Sequence, residues 1–215
     1  MQLAKRHIEW ILEIHGKRMK KNDITKSKVK VRAFHKDRLD GDMLHHLLLS
    51  AFYGLETAKL FGWSVEHRYG QMTQTQLMLR AGHSRMYYAA GTDGMPMGML
   101  IVTKTDKPKI KRMDAIFVFE PFRGSGVARL LLEEARAGGD LHSYSAPSAV
   151  EWHLKNGFRN LGPKESEGTF EMFTGNYKPV YGFSYAMPIP TDYDRNAIRQ
   201  LEEMERQVLA GRSSQ

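Results

Sequence analysis

The stretch Val118-Phe119-Glu120-Pro121-Phe122-Arg123-Gly124-Ser125-Gly126-Val127-Ala128 joins an apolar run to an amphipathic one. The run before it, Ile110–Phe119, reads as a strand. The run after it, Gly126–Ala137, places Val127, Leu130, Leu131 and Ala135 along one helical face. Glycines at such a junction let the backbone approach a ligand closely. The helix start adds unpaired N–H groups and the positive end of the helix dipole. Together they make an anion site, most often for phosphate. Three known loops do not fit. A P-loop closes on Gly-Lys-Ser/Thr, which is missing. A dinucleotide loop needs a third glycine where Arg129 stands. A nucleophile elbow reads GxSxG, which the flanks of Gly124-Ser125-Gly126 do not supply.

Downstream of the loop, Gly138-Gly139 ends the helix and Leu141–Ser145 reads as a strand. Pro147–Asn156 reads as a short helix, with a Ser148/Glu151 capping box and Gly157 as its stop. Phe158–Leu161 and Thr169–Phe173 read as closing strands, and Pro179–Met187 as one more. Thr191–Leu209 is a charged amphipathic helix with Ile198, Leu201, Met204 and Val208 on one stripe. Upstream, Arg85–Ala90 and Met97–Thr105 are strands separated by glycine and proline turns. Residues 64–84 fit a strand or a short helix equally well. Met43–Phe52 is helical and continues to about Phe61, Lys28–Phe34 alternates as a half-buried strand, and residues 3–20 read as a helix.

The chain has 215 residues, 41% hydrophobic and 26% charged, which suits one ordinary globular domain. It has no cysteine, which excludes disulfides, cysteine-ligated zinc, iron–sulfur clusters and a cysteine nucleophile. His45 and His46 are adjacent and cannot face one ion from a helix. HExxH is absent, so no metal site is expected. No apolar run reaches the ~18 residues of a membrane span, and no signal peptide is legible, so a cytoplasmic location is expected. The net charge is +8. Residues 1–38 hold twelve basic and four acidic residues, so the whole excess lies there. Such a segment either attracts an acidic protein, nucleic acid or an anionic cofactor, or is a solvated strand and linker. Only Phe34 interleaves its basic residues from Lys17 to Arg38, which argues against nucleic acid.

Arg123-x-x-Gly126-x-Ala128 resembles the Q/R-x-x-G-x-G/A signature of the GNAT family, the Gcn5-related N-acetyltransferases. Ala149-x-x-Trp152-His153-x-x-x-Gly157-Phe158 resembles that family's A-x-x-F-Y-x-x-x-G-F, at the right distance downstream. The resemblance spans roughly residues 28–175 and is strongest from 113 to 158. It implies an α+β fold, a mixed and mainly antiparallel sheet flanked by helices, over residues 28–175. A basic helical extension would precede it (1–27), and a strand and helix extension would follow (176–215). It implies an acetyl-CoA-dependent N-acyltransferase that moves acetyl to a primary amine, of a small molecule or a protein, by direct attack. Coenzyme A would lie in a gap between strands 110–119 and 141–145. Its pyrophosphate would rest on Arg123, Gly124, Ser125, Gly126, Val127 and Ala128, and backbone N–H groups near Val118 and Phe119 would stabilise the oxyanion.

The chain departs from the family twice. Ala146, beside Ser145, replaces a common asparagine, and His153 replaces the tyrosine that protonates the departing thiolate. A catalytically weak or inactive relative, binding acyl-CoA and acting through a partner protein, is the alternative reading. An amine attacks only when uncharged, and a lysine-like amine of pKa about 10.4 must first lose a proton. Asp114, among Met113 and Ala115–Phe119, would have its pKa raised by burial and serve as base, or simply bond a turn at the strand start. Glu120 lies near the proposed thioester. His153 as acid would make activity decline as pH rises, and Tyr144 is a substitute acid. Arg123 would bond phosphate or pack at the loop. The acceptor would be set by residues 40–82, which match nothing specific. The C-terminal helix can dock on its own domain, bind a partner or pair with a second copy as a homodimer.

Overall fold

A computed structural model describes residues 29–34, 43–92, 94–164 and 168–183, together with Arg199, Glu202, Glu203 and Arg206. The sheet grows from local antiparallel pairing. Strands β1 (Lys30–Ala33), β2 (Ser84–Ala90), β3 (Pro96–Lys104) and β4 (Ile110–Val118) follow one another, with Lys30 opposite Ala90, Tyr87 opposite Leu100 and Leu100 opposite Ile116. The β3 sequence PMGMLIVTK is buried from Pro96 to Thr103, because helices cover both faces of its strand. Helix α1 (Met43–Ala51) runs through a π-helical turn, Phe52–Glu56, into α2 (Thr57–Phe61). These, with α3 (Val65–Arg80), cover one face. Helix α4 (Val127–Arg136) covers the other, burying Val127, Leu131, Leu132 and Ala135 against β2, β3 and β4. Gly138, at φ 82°, releases the chain from α4.

β5 (Asp140–Ser145) then enters the sheet parallel to β4, the only parallel pairing among the described residues. A 3₁₀ turn and helix α5 (Val150–Lys155) lead to β6 (Arg159–Lys164) and β7 (Thr169–Phe173). The order of the seven strands is β1-β2-β3-β4-β5-β7-β6, a mixed and mainly antiparallel sheet. β4 and β5 pair only at Ile110–Asp140, Lys111–Leu141 and Arg112–His142. Beyond these residues β5 turns to β7, with Tyr144 opposite Glu171. β4 stays with β3 but bulges: Val102 faces Met113, Ile101 faces Ala115, and Asp114 has no opposite residue.

The segment left open between strand and helix, 64–84, is the sixteen-residue helix α3. Ser64 caps it, its Oγ accepting from the His67 N–H at 3.3 Å. The Ser148/Glu151 capping box does not form, because the 3₁₀ turn Pro147–Ala149 precedes the helix and no side chain caps either start. Of the strand expected at 179–187, residues 179–183 are not in a strand. They lie back on the sheet, with Gly182 N–H donating to Asp106 Oδ1 at 2.8 Å and Asp106 N–H to the Gly182 carbonyl at 2.9 Å. The helix expected at 3–20, the basic residues up to Lys28, and most of the helix at 191–209 lie outside the described residues. Among the described residues no helix is long and apolar enough to cross a membrane.

Gly98 sits where β3 meets the end of β4, and a Cβ there would lie 2.4 Å from the Phe117 carbonyl oxygen. Gly98→Ala should therefore force the two strands apart and cost about 1–3 kcal/mol, as overpacking does. Urea denaturation followed by circular dichroism measures it.

Candidate active site

The three-residue pairing leaves β4 and β5 splayed. The Phe119 N–H donates to the Met97 carbonyl at 3.0 Å, so its neighbours at every second position also point toward β3. Val118 and Ile116, in between, turn their N–H groups into the opening. The Val118 carbonyl accepts from Arg123 Nε at 3.0 Å, and Arg123 Nη2 meets Glu56 Oε1 at 3.0 Å. The Arg123 guanidinium is thus committed to the end of β4 and to the π turn. The loop beyond it bends on two glycines in the left-handed region, Gly124 at φ 75° and Gly126 at φ 90°. Buried Phe122 and Val127 anchor the loop, and Ser125 Oγ donates to the Phe122 carbonyl at 2.5 Å. The first bond of α4 runs from Leu130 N–H to the Gly126 carbonyl at 3.2 Å. The N–H groups of Val127, Ala128 and Arg129 precede it, without acceptors inside the helix. Positive φ, a free helix start and an exposed loop suit a phosphate, and the open edge of β4 suits an amide-bearing arm; these residues fit coenzyme A.

At the other end of the opening is a cavity of about 610 Å³ between the splay and the π turn with helices α2 and α3. Of the residues expected to be catalytic, Asp114, Tyr144 and His153 line it. Glu120 and the loop Arg123–Ala128 do not. Glu120 is exposed, at the start of a 3₁₀ turn past the far end of β4. Asp114 is not a carboxylate set in hydrocarbon: it accepts from Arg112 Nε and from Thr103 Oγ1. The bulge breaks the alternation of faces here, and Asp114 lies beside Arg112 and beside Thr103, the residue opposite Arg112. Thr103 Oγ1 is 2.5 Å from Ser84 Oγ, so a chain Ser84–Thr103–Asp114–Arg112 crosses three strands. The Tyr144 ring stands under Lys164 Nζ, 4.1 Å from its centroid.

His153 is 4% exposed. Its Nδ1 lies 2.9 Å from the Ala149 carbonyl and 3.2 Å from Ser145 Oγ. A carbonyl only accepts, so Nδ1 carries the proton and Nε2 presents a lone pair. That Nε2 is buried and has no hydrogen-bond partner among the described residues, as is Thr169 Oγ1, and both residues line the cavity. Burial holds the His153 pKa below its ordinary value, against the hydrogen bond to Ala149. His142 is fully buried as well, its Nδ1 2.6 Å from Tyr181 Oη and its Nε2 2.8 Å from Glu171 Oε1. Burial lowers its pKa too, although Glu171 opposes the shift.

Sequence reasoning missed Tyr53, Thr75, Gln71, Gln74, Trp63, Ser84, Thr103 and Arg112, which complete the cavity. Tyr53 Oη is 2.7 Å from Thr75 Oγ1, which itself donates to the Gln71 carbonyl at 2.9 Å, so Tyr53 donates to Thr75. Burial pushes the Tyr53 phenol above its usual range. Arg112 was legible, because it lies two residues before Asp114 on the same strand face. The others converge from helices whose partners no local pattern marks.

A mixed sheet split at its parallel pair, with a glycine-gated helix start at one end of the split, defines an acetyltransferase type of fold. Residues 42–157 match the acetyltransferase (GNAT) family, and the chain belongs to that family. Solved structures share the fold. One is PaiA N-acetyltransferase from Thermoplasma acidophilum in complex with coenzyme A, with 11% identity and a TM-score of 0.50, covering 67% of this chain and 97% of that one. Another is "histone acetyltransferase HPA2 and related acetyltransferase" from Corynebacterium glutamicum ATCC 13032, with 18% identity and a TM-score of 0.51, covering 71% and 98%. No curated protein sequence matches the chain.

Buried His142 and His153 give stability a pH dependence. Each has a folded pKa below the unfolded value of about 6.5, so between those two values the unfolded chain binds more protons. Stability should be full above about pH 6.5 and fall as acid is added through that window. His153→Phe should flatten the decline. Urea midpoints from about pH 7.5 to about pH 5.5, for both proteins, measure it.

Proposed function

We propose that this chain is an acetyl-CoA-dependent N-acyltransferase that passes an acetyl group to a primary amine by direct attack. The observation that carries this reading is the halt of β4–β5 pairing at Arg112 and His142, with the glycine loop beyond one end of the opening and the cavity at the other. The N–H groups of Gly124, Gly126, Val127 and Ala128 would hold the pyrophosphate of coenzyme A, with that of Ser125 donating to the Phe122 carbonyl at 3.3 Å. Those of Ile116 and Val118 would meet the pantetheine arm and the thioester carbonyl oxygen. Arg123 supports the site by holding the end of β4, through the Val118 carbonyl and Glu56, rather than by bonding phosphate.

The proton chemistry falls to His153. Asp114 is bonded by Arg112 and Thr103, Glu120 is outside the cavity, and Tyr144 sits beneath a lysine. A neutral His153 has no proton to give from Nε2, so it acts first as an acceptor. The amine lone pair attacks the acetyl carbonyl carbon, the C–N bond forms and the C–S bond breaks, the sulfur leaving with the bonding pair. The proton shed by the nitrogen goes to His153 Nε2, and from there to the thiolate. This order reverses the pH dependence of an acid that must start protonated. Activity should be lost as pH falls through a pKa below about 6.5, in addition to the acceptor amine's own titration.

The test is release of coenzyme A thiol, with a panel of amines, by wild type and two variants. Gly126→Asp would put a carboxylate and a β-carbon where the pyrophosphate approaches. Acetyl-CoA affinity by calorimetry should weaken at least tenfold, about 1.4 kcal/mol. His153→Phe should lower kcat roughly 10²–10⁴-fold, leave acetyl-CoA affinity unchanged, and abolish the acid limb of the pH profile. Full kcat in His153→Phe at every pH would remove the histidine from the reaction. A wild type that binds acetyl-CoA yet acetylates no amine would instead be the acyl-CoA-binding relative acting through a partner.

A further inference from the structure

The cavity discloses more about the acceptor than that it is an amine. Among the described residues that line it, Asp114 is the one carboxylate and Arg112 the one permanent cation, and they are bonded to each other. Among the described residues the acceptor-side wall carries no carboxylate, lysine or arginine. It is made of Phe52, Leu60, Phe61, Trp63 and Met78, with the Gln71 and Gln74 amides and the bonded Tyr53 and Thr75 hydroxyls. Phe61 and Trp63 stack at 4.6 Å with planes 18° apart, and Trp63 meets the His67 ring at 4.6 Å. This aromatic shelf lines the cavity. The π turn Phe52–Glu56 supplies Phe52 and Tyr53 from inside a helix, a local irregularity often found at functional sites.

On the reading that this cavity receives the acceptor, we infer that the acceptor is a primary monoamine carried on an uncharged, planar or hydrocarbon body. A second ammonium, as in a polyamine or a lysine-rich peptide, would meet no free carboxylate among the described residues of the wall, and burying an unpaired charge is costly. A carboxylate or phosphate on the acceptor would meet among them only Arg112, which is held by Asp114. A planar body would lie against Trp63 and Phe61. The same rings attract an incoming ammonium before it loses its proton. A cavity of about 610 Å³ is of the size that takes a small molecule together with an acetyl end.

The experiment measures kcat/KM with acetyl-CoA and three acceptors, 2-phenylethylamine, spermidine and free lysine. It also measures equilibrium binding of each amine by calorimetry. Wild type should favour 2-phenylethylamine over either of the others by about tenfold or more. Trp63→Ala should raise KM for 2-phenylethylamine about tenfold with kcat nearly unchanged, and should weaken its calorimetric affinity alike. Trp63→Phe should restore most of both. Spermidine or lysine used as well as 2-phenylethylamine would overturn the inference while leaving acetyl transfer standing. So would a Trp63→Ala variant with unchanged KM. If no amine is turned over although acetyl-CoA binds, the acetyl-transfer reading falls, and calorimetry still decides the cavity. Binding of 2-phenylethylamine that Trp63→Ala abolishes upholds the specificity; no binding of it overturns it.

Discussion

The organisation of this protein depends on a parallel strand pair that stops after three residues. A strand that loses a neighbour leaves backbone N–H and C=O groups without partners, and each such group costs about 1–3 kcal/mol if buried dry. The fold keeps the opening by securing both of its ends. At the base, Ser143 Oγ donates to the Met113 carbonyl at 3.1 Å, just past the last paired residue. At the far end, Arg123 takes the Val118 carbonyl and anchors to Glu56 on the π turn. Pairing with β3 along its other edge holds β4 in place between them. The unpaired groups that remain, on Ile116 and Val118, face the place where a ligand with amide groups of its own would complete the sheet.

Charge in the cavity follows from the bulge at Asp114. By having no opposite residue, Asp114 falls beside both Arg112 on its own strand and Thr103 on the next, and its charge is cancelled where it arises. On the reading that the cavity takes the acceptor, charge would sort acceptors little, and selection would pass to the aromatic shelf. The same neutrality affects His153. No charged neighbour contributes to the shift of its pKa; burial alone drives it down, with only the Ala149 carbonyl opposing. The ring remains neutral because its surroundings are, and its lone pair stays available at ordinary pH.

The parts of this architecture that the sequence exposed are those set by neighbours along the chain. Gly124 and Gly126 were legible because their conformation is their own, and β3 and β4 because a strand covered on both faces is apolar throughout. Helix α3 was not. Its buried Tyr69, Met72 and Leu79 have helical spacing, but Gln71, Gln74, Thr75 and Met78 of the same helix line the cavity. With polar residues facing an internal space, the contrast between faces vanishes, and Gln-Met-Thr-Gln-Thr-Gln passes for strand alternation. The apolar strand neighbours on either side of Asp114 point to burial in hydrocarbon, or to a residue that bonds a turn at the strand start. Its actual partners are one two positions away and one across the bulge.

His153 occupies the place where the family signature has a tyrosine, and the difference is one of proton supply. A phenol of pKa about 10 always holds a proton at neutral pH and gives it up without first receiving one. The imidazole here has its only proton pinned to the carbonyl four residues back along α5, by the ordinary geometry of a helix, and meets the cavity with an acceptor. It can protonate a leaving thiolate only after taking a proton from the attacking nitrogen. On the proposed reading the two halves of the transfer are thereby coupled through one atom. A buried acceptor left without a partner is costly to maintain. A ligand that delivers a proton to that atom, and then removes it, would give its retention a chemical reason.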